Sequence, residues 1–576
     1  MYKIKMFDNV KKFNYFNWNA WTVFVIAIAL LISAPVVFIL SSIFSDTGEI
    51  WSHLASTVLP RYLLNSFILM VGVGCGVVVI GVGVAWLVTM CRFPGSRIFE
   101  WAMLLPLATP AYILAYTYTE LLEFYGPVQM WLREVFGWAS VSDYWFPEIR
   151  SIGGAIALLT LTLYPYVYLL TRVAFLEQST CTLEASRSLG CNPWRSFYKI
   201  ALPLARPAIM AGLALALMET LNDFGTVQYF GVETFTTGIY RTWFGMGERV
   251  AAAQLAAVLM LFILWLILLE LWSRRQAKYY QTSSQYQKLQ QFHLGGIRGI
   301  VSLFACLLPV LLGFLLPAGL LLEMTIAESG ESFRGQFWNY ASHSLILAGV
   351  TAVFAVAIAL IMAYGVRLNR NLGMRLSTRI AAMGYAVPGS VIAVGILIPT
   401  AMGYAVPGSV IAVGILIPIG AVDNIIDSFM RSRFGISTGL LFSGTITALV
   451  FAYLVRFMAV AFGAVESSLL KIKPSLDDAS RSLGYGATKT LVKVHAPMMW
   501  GGLLTGAMLT FVDVMKELPA TMVIRPFNFD TLAVRVYNLA SDERLTEAAG
   551  PALAIVLVGI IPVILLSLKI AKSRQY

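Results

Sequence analysis

Long apolar runs separated by short polar stretches extend along the whole chain. "WTVFVIAIALLISAPVVFIL" (21–40) and "AAVLMLFILWLILLELW" (256–272) are typical. About 20 apolar residues in a row suffice for a helix to cross the hydrocarbon layer. In lipid, backbone groups are satisfied only inside helices or closed barrels, and these runs lack the two-residue alternation of barrel strands. The pattern predicts an all-α polytopic membrane protein. Counting runs gives about twelve spans, near 18–43, 64–90, 99–122, 152–175, 203–225 and 250–273, then 299–323, 342–366, 378–420, 439–465, 498–520 and 549–570. The first run follows Lys3, Lys5, Lys11 and Lys12 as a secretory signal would. It is too long for a signal core and no small-residue cleavage site follows it, so it reads as a retained span.

The polar stretches set the orientation. Arg92 and Arg97; Arg187, Arg195, Lys199 and Arg206; Arg274, Arg275 and Lys278; Arg367, Arg370, Arg375 and Arg379; and Lys471, Lys473, Arg481, Lys489 and Lys493 fall in alternate loops, together with both chain ends. The intervening loops carry far fewer basic residues. An excess of Lys and Arg marks the cytoplasmic side, so both termini are expected to be cytoplasmic.

Composition agrees. The 576 residues are 58% hydrophobic and 12% charged, with a mean hydropathy of +0.76, too few charges to cover a soluble protein of this size. The net charge of +11 is largely the loop bias and needs no nucleic acid to explain it. The 5 cysteines scatter without a CxxC and the 4 histidines show no ligand spacing, so neither a disulfide framework nor a zinc site is indicated. Whether the chain holds a metal stays open.

One polar heptapeptide occurs twice, "EASRSLG" at 184–190 and "DASRSLG" at 478–484. At the same offset Lys199 falls on Lys493, Pro203 on Pro497, Glu219 on Asp513 and Asp223 on Glu517. Upstream, "LNSFILMVGV" (64–73) falls on "SHSLILAGVT" (342–351) at a shorter offset. The change arises because "AMGYAVPGSVIAVGILIP" at 382–399 recurs letter for letter at 401–418, where the first half has one counterpart around Pro110. The added segment should contribute no net crossing, and Pro388 or Pro407 should break or kink a helix within the bilayer. Such identity indicates a recent tandem duplication or an artefact of the sequence. The expected organisation is a first six-span half (1–275) with an elbow at 183–203, a cytoplasmic linker (276–298), and a second half (299–576) with an elbow at 477–497. The halves share one topology, so a pseudo-two-fold axis should run along the membrane normal.

Each heptapeptide lies in the inner loop between the fourth and fifth spans of its half. Helix formers end at Gly190, a residue suited to a left-handed stop. Asn192 and Pro193 can then start a second short helix that runs to Pro203. The resulting helix–turn–helix elbow presents Ala185, Ser186 and the cations Arg187, Arg195 and Lys199, a shape that fits a groove on another protein.

The spacing resembles the E-A-A-x3-G-x9-I-x-L-P cytoplasmic signature of ABC-importer permeases. The first copy reads Glu184-Ala185-Ser186, Gly190, Ile200 and Leu202-Pro203; the second reads Asp478-Ala479-Ser480, Gly484, Val494 and Ala496-Pro497, departing at Ala496. Arg187 and Arg481 lie within the two copies. The resemblance implies that each elbow docks one ATPase subunit, so this chain would hold two copies of an ABC ATPase. It further implies an extracytoplasmic substrate-binding protein, a bacterial inner-membrane location, and alternating access driven by ATP. Segments 219–247 and 513–543 are similar to the fused ferric-iron permeases, with thiamine, sulfate and phosphonate permeases sharing the scaffold. No G-x-x-x-x-G-K-[ST] occurs, so ATP and magnesium belong on partner subunits and the chain is expected to be no enzyme.

Ionisable residues inside spans usually face a cavity or a partner. Glu219 and Asp223 stand four apart, as do Asp513 and Glu517, so each pair is expected on one helix face. Four carboxylates could line a pathway for a hard cation. Equally, Asp513 could pair with Lys516 and the acids could stabilise helix ends. The competing class is a secondary transporter with these acids as coupling groups, which leaves the two elbows unexplained.

Overall fold

The computed structural model describes residues 20–45, 48–177, 193–275, 291–328, 335–368, 407–470 and 472–573. Ten helices among them are long and apolar enough to cross a membrane, and two bent pairs raise the count to as many as 12. The bent pairs are Ser96–Ala108 with Ala111–Phe136 and Ala487–Met498 with Trp500–Met515. The two halves repeat the same packing. Leu59–Met90 lies against Ile152–Glu177 and Leu202–Asn222, as Phe337–Leu368 lies against Ile446–Leu469 and Trp500–Met515.

Each half lends its first span to the other. Ala20–Ser41 packs on Gly408–Phe434 and Phe337–Leu368, while the span Gly296–Ala327 leans on the first half and on Leu545–Ser573. Glycines permit the closest of these approaches. A Cβ on Gly414 would sit 2.8 Å from the Pro35 carbonyl oxygen, and one on Gly559 would collide with the Ala108 carbonyl. The end of the linker is pinned too, through a parallel bridge that pairs Cys91 with Phe292 and Arg92 with His293.

Prolines shape three spans. π-helical turns at Phe197–Ala201, Leu311–Leu315 and Leu491–His495 each stop two residues before a proline, namely Pro203, Pro317 and Pro497. Proline has no N–H and its ring crowds the carbonyl one turn back, so the preceding turn widens. After this shared bulge the halves diverge. The first continues straight into Leu202–Asn222, whereas the second bends by 79° before Trp500–Met515.

Three boundaries differ from the sequence reading. The span expected over 378–420 is the helix Gly408–Phe434, and 382–399 falls outside the described residues. Pro407 does not kink this helix but starts it, with φ −55 and ψ 142, as Pro110 starts Ala111–Leu122 with φ −58 and ψ 142. The second copy of the duplicated segment thus takes the place of the first-half counterpart. The span expected from 439 begins at Ile446, because the preceding loop folds back onto two helical aspartates. Asp423 accepts from the Phe442 and Ser443 amides, and Asp427 from those of Thr438 and Gly439.

Candidate coupling elbows and translocation cavity

The second elbow is the helix–turn–helix expected. Ser475–Ser482 ends at a left-handed Gly484 with φ +76, and Ala487–Thr490 follows. The Gly484 and Tyr485 amides return to the Arg481 and Ser480 carbonyls. Ser480 is buried rather than presented, and its hydroxyl meets that of Thr490 at 2.7 Å to close the two arms. Asp478, Ala479, Arg481, Leu483 and Gly484 remain exposed on the outer side of the turn, and Pro497 lies exposed beyond the bulge. Arg481 approaches Asp478 only to 3.9 Å. Of the first elbow, Glu184, Ala185, Ser186, Arg187 and Gly190 lie outside the described residues. The helix Pro193–Ser196 does start on its proline, and Pro203 follows the π turn.

Two charged clamps hold the second elbow to its bundle. Arg367, at the end of Phe337–Leu368, donates through Nε to Asp477 Oδ2 at 2.8 Å and to the Leu469 and Ile472 carbonyls. His495 is fully buried, with Nε2 2.6 Å from Asp477 Oδ1. In the first half the corresponding contact is aromatic, with Trp86 packing on Phe197 and Phe175 at ring separations of 4.8 and 5.5 Å.

About 30 Å along Leu202–Asn222 from the first elbow, at 1.5 Å per residue, a cavity of about 140 Å³ separates the halves. Glu219, Asn222 and Asp223 line it from the first half, and Arg456, Asp513, Lys516 and Glu517 from the second. All four carboxylates singled out from the sequence therefore meet at one cavity.

Neither pair shares a continuous helical face, which corrects the expectation from spacing. Leu202–Asn222 stops before Asp223, whose carboxylate accepts from the Val227 amide and the Thr226 hydroxyl to start Gly225–Tyr229. Trp500–Met515 likewise stops before Glu517, which starts Pro519–Ile524 by accepting from the Ala520 and Thr521 amides and the Thr521 hydroxyl. A carboxylate that accepts orphan N–H groups at a helix start is well satisfied there. Arg456 completes the Glu517 shell at 2.9 Å, with both side chains buried, and Lys516 pairs with Asp513 at 3.0 Å. Gly408 makes room for this shell, since any Cβ there would run into the Arg456 guanidinium.

Residues 77–278 match the family described as binding-protein-dependent transport system inner membrane component. The Fe(3+)-transport system permease protein FbpB 2 of Haemophilus influenzae is 24% identical over 88% of this chain and 90% of its own. The ferric transport system permease protein FbpB of Actinobacillus pleuropneumoniae is 23% identical over 97% of this chain and 79% of its own. The sulfate transport system permease protein CysT of Escherichia coli is 32% identical over 29% of this chain and 55% of its own. The chain carries an ABC-importer permease domain. It is the inner-membrane transport subunit of a system that also needs a substrate-binding protein and an ATPase, and hydrolysis takes place on the separate ATPase subunits.

Three paired charges of this permease have no counterpart in the sequence reading. Arg456 lies in the middle of "AYLVRFMAV" (452–460), and an arginine in an apolar run is a signal in its own right. Arg172, 2% exposed, interrupts Ile152–Glu177 and meets Glu100 at 3.0 Å. Asp477 stands one residue before the second heptapeptide, 18% exposed between Arg367 and His495. Among the described residues no group of three or more His, Cys, Asp or Glu side chains is arranged to hold a metal ion.

Proposed function

We propose that the permease carries ferric iron. What supports this reading is similarity to two proteins named as ferric permeases along nearly the whole chain, where the sulfate relative matches only a part. Both permease halves lie in one polypeptide, so the two elbows would engage two ATPase copies and need no second permease subunit. Glu184, Ala185, Ser186, Arg187, Gly190 and Pro203 form one docking surface in this reading, and Asp478, Ala479, Ser480, Arg481, Gly484 and Pro497 the other. Ser480 serves within the second by bracing the turn, while Leu483, 75% exposed, supplies an apolar knob for the ATPase groove. Both termini are cytoplasmic, on the same side as the elbows.

A loaded binding protein docks on the opposite face, and ATP-driven closure of the ATPases pulls the elbows. The halves then part around the cavity at Glu219, Asp223, Asp513 and Glu517, which receives the cargo before the return stroke. Purification with the ATPase should give two ATPase copies per permease. Proteoliposomes holding that complex, supplied with iron-loaded binding protein, should accumulate radioiron only with ATP. Uptake of sulfate in place of iron would overturn the choice of cargo. Uptake driven by an ion gradient without ATPase would overturn the elbow assignment as well.

A further inference from the structure

The cavity walls are unequal. On the second-half wall each carboxylate has a cation of its own, Lys516 for Asp513 and Arg456 for Glu517. On the first-half wall the same repeat positions hold Asn222 in place of Lys516 and Thr162 in place of Arg456. Asp223 is met there by neutral donors, the Thr226 hydroxyl and the Val227 amide, and no ion pair to it occurs among the described residues. Asn222 is 2% exposed and lines the cavity, yet neither its amide oxygen nor its amide nitrogen has a hydrogen-bond partner. A buried amide with both ends unsatisfied is costly and uncommon in a folded protein. Beside two carboxylates it supplies the third oxygen of a ligand set.

We propose that Glu219, Asn222 and Asp223 form a transient subsite for a hard, multivalent, oxygen-seeking cation, while the neutralised second-half wall keeps the break between Trp500–Met515 and Pro519–Ile524 in shape. The proposal rests on the reading that cargo crosses this cavity, and it assigns the contact to one wall. Carboxylate and amide oxygens suit hard cations. Two carboxylates and one amide leave further coordination positions to water. Such an incomplete set fits a passage, where binding must be strong enough to admit an ion and weak enough to release it.

Terbium(III) tests the subsite on the purified permease–ATPase complex, because Tyr112 and Tyr166 line the cavity and can sensitise its emission. Asn222→Asp should raise terbium affinity several-fold, a gain that misfolding cannot produce. Glu219→Gln with Asp223→Asn should lower it about tenfold, and asparagine still caps a helix. Asp513→Asn should change it less than twofold. Absence of tyrosine-sensitised binding in the parent complex, or equal loss from variants of either wall, would overturn the proposal. ATP-driven radioiron uptake in the same variants separates it from the cargo assignment. A first-half terbium site without iron uptake would leave the subsite and remove the cargo; iron uptake untouched by the Glu219 and Asp223 changes would do the reverse.

Discussion

The bundle surfaces that seat the two elbows solve one task with different chemistry. In the first half Trp86 packs tilted on Phe197 and edge-on against Phe175. In the second, Tyr364 occupies the repeat position of Trp86, and Arg367, Asp477 and His495 stand where the first half has Thr89, Leu183 and Ala201. Aromatic burial is strong but weakly directional, so the first seat tolerates small slippage. A guanidinium held by a carboxylate and three carbonyls has one good geometry, so the second seat either holds or releases. Such a largely desolvated pair adds little net stability over an apolar replacement, although removing one partner is costly. At the end away from the elbows both halves use ion pairs, but place them differently. Glu233 of the first half bridges Arg61 and Arg241 at 3.0 and 2.8 Å, whereas its repeat position is Phe527, 98% exposed, in a loop that Arg525 and Asp530 close on itself. The halves are thus related in topology and differ in where their ends are tied.

Breaking the charged seat should have the largest effect. Arg367→Thr leaves Asp477 and three backbone carbonyls without their donor. Loss of one partner from a fully buried pair costs about 3–5 kcal/mol; this pair is 15% and 18% exposed and Asp477 keeps His495, so the cost lies at the lower end of that range and thermal unfolding of the purified permease should fall clearly. ATP-driven uptake should drop at least about tenfold, because the elbow then moves without its bundle. Full uptake in this variant would show that the charged seat transmits nothing. Trp86→Ala in the first half should cost about 3 kcal/mol or more through the cavity it leaves. Trp86→Tyr, which installs the second-half residue, should cost less than about 1.5 kcal/mol as a smaller change in shape. Unfolding midpoints of the two variants, measured side by side, check that gap.

A transplant sharpens the comparison. Arg367→Thr, Asp477→Leu and His495→Ala together give the second half the first-half set. With no charge left unpaired, the triple variant should unfold within about 1.5 kcal/mol of the parent, well above Arg367→Thr alone. A triple variant as unstable as the single one would mean that backbone carbonyls, and not Asp477, govern what Arg367 contributes.

Much of this architecture is legible in the sequence, and the misses share a cause. The apolar runs gave the spans, and the repeated heptapeptide gave the elbow with its left-handed Gly484. The acid pairs were read by helical spacing, which presumes an unbroken helix. The break itself was written in "DFGTV" (223–227) and "ELPAT" (517–521), where an acid precedes a glycine or proline at a helix start. The seats were less visible. Arg367 lies 110 residues from Asp477, and pairing over that separation carries no local signature. The unequal cavity walls show only where the repeat sets Asn222 against Lys516 and Thr162 against Arg456.

Glu233 offers the smallest and most selective test. Hydrogen bonds from Arg241 and then Arg61 hold its carboxyl below the usual glutamate range, against the opposing influence of burial. A depressed value in the folded protein means that the bridge stabilises at neutral pH and is lost as pH falls through the lowered value, beneath the ordinary glutamate range. The two arginines are 66% and 51% exposed, so solvent and salt screen the bridge and its worth stays at or below about 1 kcal/mol. Glu233→Gln should shift the unfolding midpoint by no more than about 2 °C at pH 7, and that shift should vanish in high salt and at pH 3. The Asn65 amide still reaches the Glu233 backbone carbonyl at 2.9 Å, so the loop should keep its path and uptake should persist. A large, salt-insensitive loss would mean that this end is fixed by charge as firmly as the second elbow, and the contrast between the two halves would fail.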